Sequence, residues 1–235
     1  MDKKYLKCWN DEQVVNFFIS NRKYIEDVYP SEKYFLDEYL QPGMRALDYG
    51  CAAGGFCNIL KNGYHLPYSN YWGVDQSFQM IETARQLYPR ANFETDLNEI
   101  FKKKMKFDLV FSFGVLHMTF NWEKILHNLY HLASKYLIFD LRIITGETTI
   151  ENIDQSFQTL SFNKATSGEE IECLNVPYII LNNQDVENRL SKIYKKRDRL
   201  LRYSYTRPVS ETVTSPYSEV EMTSFCIIKR TERQL

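Results

Sequence analysis

Residues 45–56 read RALDYGCAAGGF, an apolar run that ends in an acid and then breaks into residues with almost no side chain. Alanine and glycine let a ligand lie against the backbone and leave amide groups free to meet it. Two kinds of nucleotide ligand use such a turn. A dinucleotide calls for G-x-G-x-x-G straight after the first strand of a βαβ unit. Here the pattern is D-x-G-x-x-x-G, with Asp48, Gly50 and Gly54, so the second close-approach glycine is missing. An acid at the strand end also repels a pyrophosphate, whereas a ligand with a cationic ammonium and sulfonium suits it.

Outward from this turn the chain alternates. NYWGVD (70–75) reads as a strand feeding a helix over 77–89, with Met80, Ile81, Ala84 and Leu87 on one face and Pro89 as the stop. ANFETD (91–96) reads as a short third strand, and FDLVFSFGV (107–115) as a fourth. A helix over 121–135 precedes a fifth strand, YLIFDLRII (136–144). The long apolar runs lack alternation, as central parallel strands covered on both faces do. Strand and helix alternating five times predicts a doubly wound α/β sheet with right-handed crossovers. Asp48, Asp75 and Asp96 then close three successive strands on one carboxyl edge, the crevice where such sheets bind ligands. Asp75 is suited to accept both hydroxyls of a ribose, and Asp96 the exocyclic amine of adenine.

The flanks read differently. Helices are expected over 11–20 and 31–40, with Ser31 as a cap after Pro30. Beyond Thr145, segments 155–163 and 171–182 surround a polar NKATSGEE and read as an antiparallel hairpin. A helix over about 184–200 and strands near 202–209 and 222–230 follow. The expected organisation is a single domain: a helical cap (1–41), a cofactor-binding core (42–145), an inserted lid (146–182) and a closing helix and strands (183–235).

A net charge of -1 gives no general attraction to nucleic acid or membrane. Cys8, Cys51, Cys57, Cys173 and Cys226 are odd in number, scattered and never in a C-x-x-C pair. That suits buried thiols in a reducing cytoplasm. MDKKYLKCWN lacks the apolar centre of a signal peptide, and no stretch reaches the roughly 18 apolar residues of a membrane span. A cytoplasmic protein is expected, monomer or homodimer.

ALDYGCAAGGF, WGVDQS, NFETD, FDLVFSFGVLHMT and YLIFDLR, in this order across residues 42–145, resemble the motifs of class I S-adenosylmethionine-dependent methyltransferases of the small-molecule type. The resemblance implies a seven-stranded sheet of order 3-2-1-4-5-7-6 with strand 7 antiparallel. It implies that Asp48, Gly50, Cys51 and Ala52 surround the methionine part of the cofactor. It places Asp75 at the ribose, Gln76 and Ser77 along the ribose and adenine side, Asp96 and Leu97 at the adenine, and Phe113 and Gly114 at the methionine end. Cys51-Ala52-Ala53 departs from the Gly-x-Gly often found there, although small residues keep the space.

For the chemistry, His117 follows the fourth strand, either as a general base or as a structural histidine opening the next helix. Asp140 and Arg142 end the fifth strand. Asp140 orients an acceptor and Arg142 clamps an acidic group, or the two form a local ion pair. His127 and His131 stand at i, i+4, which can hold a metal but reads better as a solvated face; no metal is expected. The basic run 189–202 reads as an exposed helix face rather than a phosphate site. Tyr5, Trp9, Tyr24, Phe157 and Tyr178 are aromatics available to a lid, with Tyr178 placed at the acceptor. No NPPY or DPPY follows strand four, which disfavours the usual DNA amine enzymes. The expected activity is methylation, more at oxygen than nitrogen, of a small metabolite. A sugar nucleotide or phosphorylated precursor of surface glycan or secondary metabolism heads the acceptors. An RNA or protein methyltransferase, or a catalytically silent relative, is the alternative.

Overall fold

The computed structural model of the chain describes residues 9–10, 12–160 and 174–230. Tyr5, Cys8, Cys173 and the NKATSGEE segment lie outside these residues.

The described elements run α1 (Glu12–Ser20), α2 (Pro30–Tyr39), β1 (Ala46–Tyr49), α3 (Gly55–Gly63), β2 (Tyr71–Val74), α4 (Phe78–Leu87), β3 (Asn92–Glu94), α5 (Leu97–Lys102) and β4 (Phe107–Ser112). They continue with α6 (Trp122–Leu132), β5 (Ala133–Ile144), β6 (Phe157–Leu160), β7 (Leu174–Pro177), β8 (Leu181–Asn182), α7 (Asn183–Leu190), β9 (Arg199–Pro208), β10 (Val213–Thr214) and β11 (Glu219–Ile228). The main sheet has the order β3-β2-β1-β4-β5-β11-β9, with β8 paired to the end of β5. β11 runs antiparallel to both neighbours, and β1 to β5 pair in parallel. This is the expected strand order, with β9 and β11 as its sixth and seventh strands.

Both faces of the sheet are covered because alternate residues serve opposite cores. Leu47, Val110 and Phe139 pack with Trp122, Leu126 and Leu129 of α6 and Val186 of α7. Ala46, Leu109, Phe111 and Ile138 pack with Phe35 and Leu36 of α2, Ile59 and Leu60 of α3, and Ile81 and Ala84 of α4. Phe111 is fully buried, with its ring 5.4 Å from Phe56 and 5.3 Å from Phe113. Its truncation to alanine opens a cavity in the centre and costs about 3–5 kcal/mol.

Several boundaries differ from the sequence reading. Pro30, not Ser31, opens α2, with Tyr29 as the N-cap. The fixed φ of proline suits the first helical turn. Ser31 is buried instead and accepts the Ser224 hydroxyl at 3.0 Å. Leu87 is 46% exposed, and Tyr88 takes its expected place against the core. The basic run 189–202 is not one helix face. α7 ends at Leu190, residues 191–198 form turns, and β9 takes the end of the run from Arg199 because it pairs with β11 over ten residues. β5 begins at Ala133, three residues early. A second, three-stranded sheet, β10-β6-β7, contains the expected antiparallel pair and adds β10, which was not anticipated.

Candidate active site

At the carboxyl end of β1, Asp48 is buried and accepts the Tyr71 hydroxyl at 2.6 Å. Burial pushes its carboxyl up to about 7, against the pull of that hydrogen bond. The chain then turns through Gly50 at φ +83°, whose amide donates to the Val74 carbonyl at 2.7 Å. A Cβ at Gly50 would lie 2.2 Å from Val115 Cγ2, so both the conformation and the space demand glycine. Ala52 adopts φ +45°, a left-handed conformation unusual for alanine. It places the Ala52 amide 3.0 Å from Asp75 Oδ2, while the Ser77 amide reaches Asp75 Oδ1 at 2.9 Å. Burial raises the Asp75 carboxyl, opposed by these two amides. Ser77 also caps α4 by accepting from the Met80 amide.

At the end of β4 the Gly114 amide donates to Asp140 Oδ1 at 2.6 Å. Asp140 Oδ2 accepts from Arg142 Nη1 at 2.5 Å, and both side chains are buried. Burial opposes the Arg142 charge, yet Asp140, Tyr178 and Glu32 more than offset it and hold the guanidinium protonated. His117, in a 3-10 turn over Leu116–Met118, is 2% exposed. Its ring meets Tyr178 edge-on at 5.2 Å. Burial, then Arg142 and Arg22, push its pKa well below the usual value, so the imidazole is neutral. Among buried side-chain atoms, His117 Nδ1 and Arg142 Nε have no hydrogen-bond partner.

A cavity of about 650 Å³ joins these two ends. Asp48, Gly50, Cys51, Ala52, Asp75, Gln76 and Phe113 line it, as do His117, Arg142 and Tyr178. Asp140 stands behind its wall, joined to it through Gly114 and Arg142. Asp96 and Leu97 are not in the lining either. Asp96 caps α5, accepting from the Asn98 amide at 2.9 Å and its side chain at 3.1 Å. Trp9 lines the cavity, whereas Phe157 does not and Tyr24 is 66% exposed.

The sequence reading missed Arg22, Tyr29, Glu32 and Arg207 here. Arg22 makes two 3.2 Å contacts to Glu32 and lies 4.9 Å over the Tyr29 ring. Although burial works against it, Glu32 holds Arg22 above its usual value. Burial in turn raises Glu32 to about 7. Arg207, from β9, lies over the same Tyr29 ring at 5.7 Å. The loop carrying Arg22 approaches so closely that a Cβ at Gly55 would sit 2.7 Å from its carbonyl oxygen. Gly55 was the one signal of this contact. Ser77 pins the start of the described chain, donating to the Trp9 carbonyl at 2.9 Å and to Asn10 Oδ1 at 2.8 Å.

Among the described residues no group of three His, Cys, Asp or Glu side chains could hold a metal. The His127 and His131 Nε2 atoms lie 3.3 Å apart on an exposed face of α6. No described helix is long and apolar enough to cross a membrane.

Strand order, glycine turn and strand-end acids together define a class I S-adenosylmethionine-dependent methyltransferase fold. Residues 40–192 match the family described as a methyltransferase domain, and the chain belongs to that family. Juvenile hormone acid O-methyltransferase of Bombyx mori is 29% identical over 163 residues, which cover 66% of this chain and 56% of that protein. An S-adenosylmethionine-dependent methyltransferase from Methanosarcina mazei superposes with a TM-score of 0.55 at 15% identity, covering 87% of this chain and 99% of that one. The N-terminal domain of EvdMO1, crystallised with S-adenosylhomocysteine bound, gives 0.54 at 13% identity, covering 98% and 85%.

Proposed function

We propose that the chain transfers a methyl group from S-adenosylmethionine to an oxygen of a small anionic molecule, in the cytoplasm. The observation that carries this is the cavity of about 650 Å³, which has acids at one end and arginines at the other. Such a volume suits a nucleoside-sized ligand beside a second small molecule.

The residues at the acidic end fit the cofactor. Each Asp75 oxygen already takes one backbone amide and keeps a lone pair for a ribose hydroxyl. Asp48, raised by burial, is stabilised as a carboxylate by a nearby ammonium. Arg22, beside Gly114, is placed to pair with an amino-acid carboxylate. Bound S-adenosylmethionine supplies an electrophilic methyl group on a sulfonium. Asp140 fixes Arg142 and the Gly114 turn, while His117 and Tyr178 border the acceptor. Trp9, Phe17 and Phe18 close over the cavity and help to exclude water.

The Bombyx mori relative is named as an O-methyltransferase of an acid, which supports oxygen as the target. The expected settings, a sugar nucleotide or phosphorylated precursor for surface glycan or secondary metabolism, agree with an acceptor that carries negative charge. Buried free thiols at Cys51, Cys57 and Cys226 agree with a reducing compartment. Calorimetry with S-adenosylhomocysteine and with NAD tests the cofactor. Binding of NAD alone would sink this reading, and binding of S-adenosylhomocysteine without any methyl transfer would leave a silent binding protein.

A further inference from the structure

Met222 of β11 pairs with Arg142 on one side and Tyr205 on the other, so these three side chains share one face of the sheet. Arg207, two residues beyond Tyr205, shares it too. Both guanidinium groups line the acceptor end of the cavity. The carboxylate beside them, Asp140, has both oxygens engaged, by Gly114 and by Arg142 itself. Arg207 has the Tyr29 ring beside it and no ion pair among the described residues. Arg22 is paired with Glu32, which also lies near Arg142, so three cations stand against two anions, and Arg142 Nε and His117 Nδ1 are buried without partners. This end is built to receive negative charge close to the wall.

It is not built to receive a proton. Asp48 and Asp75 lie at the cofactor end, and Asp140 is behind the lining. The remaining neutral acceptor is His117, and protonating it would add a cation beside Arg142 and Arg22. An alcohol or amine must lose a proton during methyl transfer, and the side chains here offer it no good destination. An acid that is already ionised has no such need.

We propose that the methyl acceptor is the carboxylate of a small organic acid and that the product is its methyl ester; this rests on the methyl-transfer reading of the same cavity. A lone pair on one carboxylate oxygen forms the new C–O bond, and the methyl C–S bond breaks with its electron pair left on sulfur. An anion and a sulfonium become a neutral ester and a thioether, and no proton is released. Arg142 Nε and Arg207 hold the acid. His117, as its Nδ1–H tautomer, donates to the oxygen that does not attack. Gln158 and Thr159 of the second sheet, with Thr212 in the turn before β10, line the space for the rest of the molecule. The anionic group is thus the nucleophile itself, not a handle for a hydroxyl elsewhere on the acceptor.

The test uses the full chain, S-adenosylmethionine with a tritium-labelled methyl group, and matched carboxylic acids, primary alcohols and primary amides on aliphatic, aromatic and isoprenoid skeletons. The acids are expected to take up label that mild alkali releases as volatile methanol, while the alcohols and amides take up none. In calorimetry with S-adenosylhomocysteine present, the best acid is expected to bind at least about 10-fold more tightly than its amide. Arg207→Met is expected to remove that preference while leaving S-adenosylhomocysteine affinity unchanged. Label on an alcohol, label stable to alkali, or equal affinity for acid and amide overturns the carboxylate acceptor and leaves methyl transfer standing. Binding of S-adenosylhomocysteine with no acid bound or methylated also overturns it. Failure to bind S-adenosylhomocysteine at all removes the methyl-transfer reading beneath it.

Discussion

Asp140 and Arg142, two residues apart on β5, meet at 2.5 Å with both side chains buried. A buried pair of this kind contributes little by itself, because desolvation offsets most of the attraction, but breaking it strands a charge. Asp140→Asn is therefore expected to cost about 3–5 kcal/mol. Adding Arg142→Met should restore most of that stability while turnover stays lost. Urea unfolding of the single and double variants checks this. An equal loss in both would show that the Gly114 contact, not the ion pair, dominates.

Asp75 accepts the Ala52 and Ser77 amides and faces the cavity with its remaining lone pairs. Asp75→Ala is expected to weaken S-adenosylhomocysteine binding by about 1.5–3 kcal/mol through loss of charge-assisted hydrogen bonds. Calorimetry reads this directly. An unchanged dissociation constant would remove Asp75 from the ribose.

His117 stays neutral because burial and two arginines oppose its protonation. His117→Ala is expected to lower turnover by less than about 100-fold, below the usual loss for a missing general base. The turnover number kcat should be flat from about pH 6 to 9, since an ionised acid presents no proton to remove. A larger loss, accompanied by a titration in the wild-type profile that the variant lacks, would restore His117 as a base.

Asp48 is raised by burial to about 7 in the folded chain, against an unfolded value of about 3.9. Between those values the folded state holds a proton that the unfolded chain has released. Its contribution is thus most favourable at acid pH and is lost as the pH rises towards about 7. Glu32, also raised to about 7, acts in the same direction. Without ligand, Asp48→Asn should flatten the fall in stability across that window by about one proton's worth of slope. Melting curves at several pH values would show it, and an unaltered slope would mean that Asp48 is ionised throughout.

The centre of the main sheet was legible because β1, β2 and β4 are apolar runs that lead into an acid or a glycine. Asp48, Gly50 and Asp75 stood out for the same reason. α5 was hidden because it is short, and Asp96, whose strand-end position suits a ligand or a cap, is its N-cap. Arg22, Glu32 and Arg207 left no local signature, since nothing near them in sequence says that they converge on Tyr29. Ten residues of pairing with β11 set the start of β9, and no window along the chain contains both strands.

The wall at the acceptor end includes Gln158, Thr159 and Leu160 of β6 and Val213 beside it on β10, on a sheet separate from the eight-stranded one. Substitutions there can accumulate without disturbing the register that aligns Asp48, Asp75 and Arg142. Descendants of this chain can therefore change which molecule they modify while the donor half stays fixed, because the two halves are free to drift at different speeds.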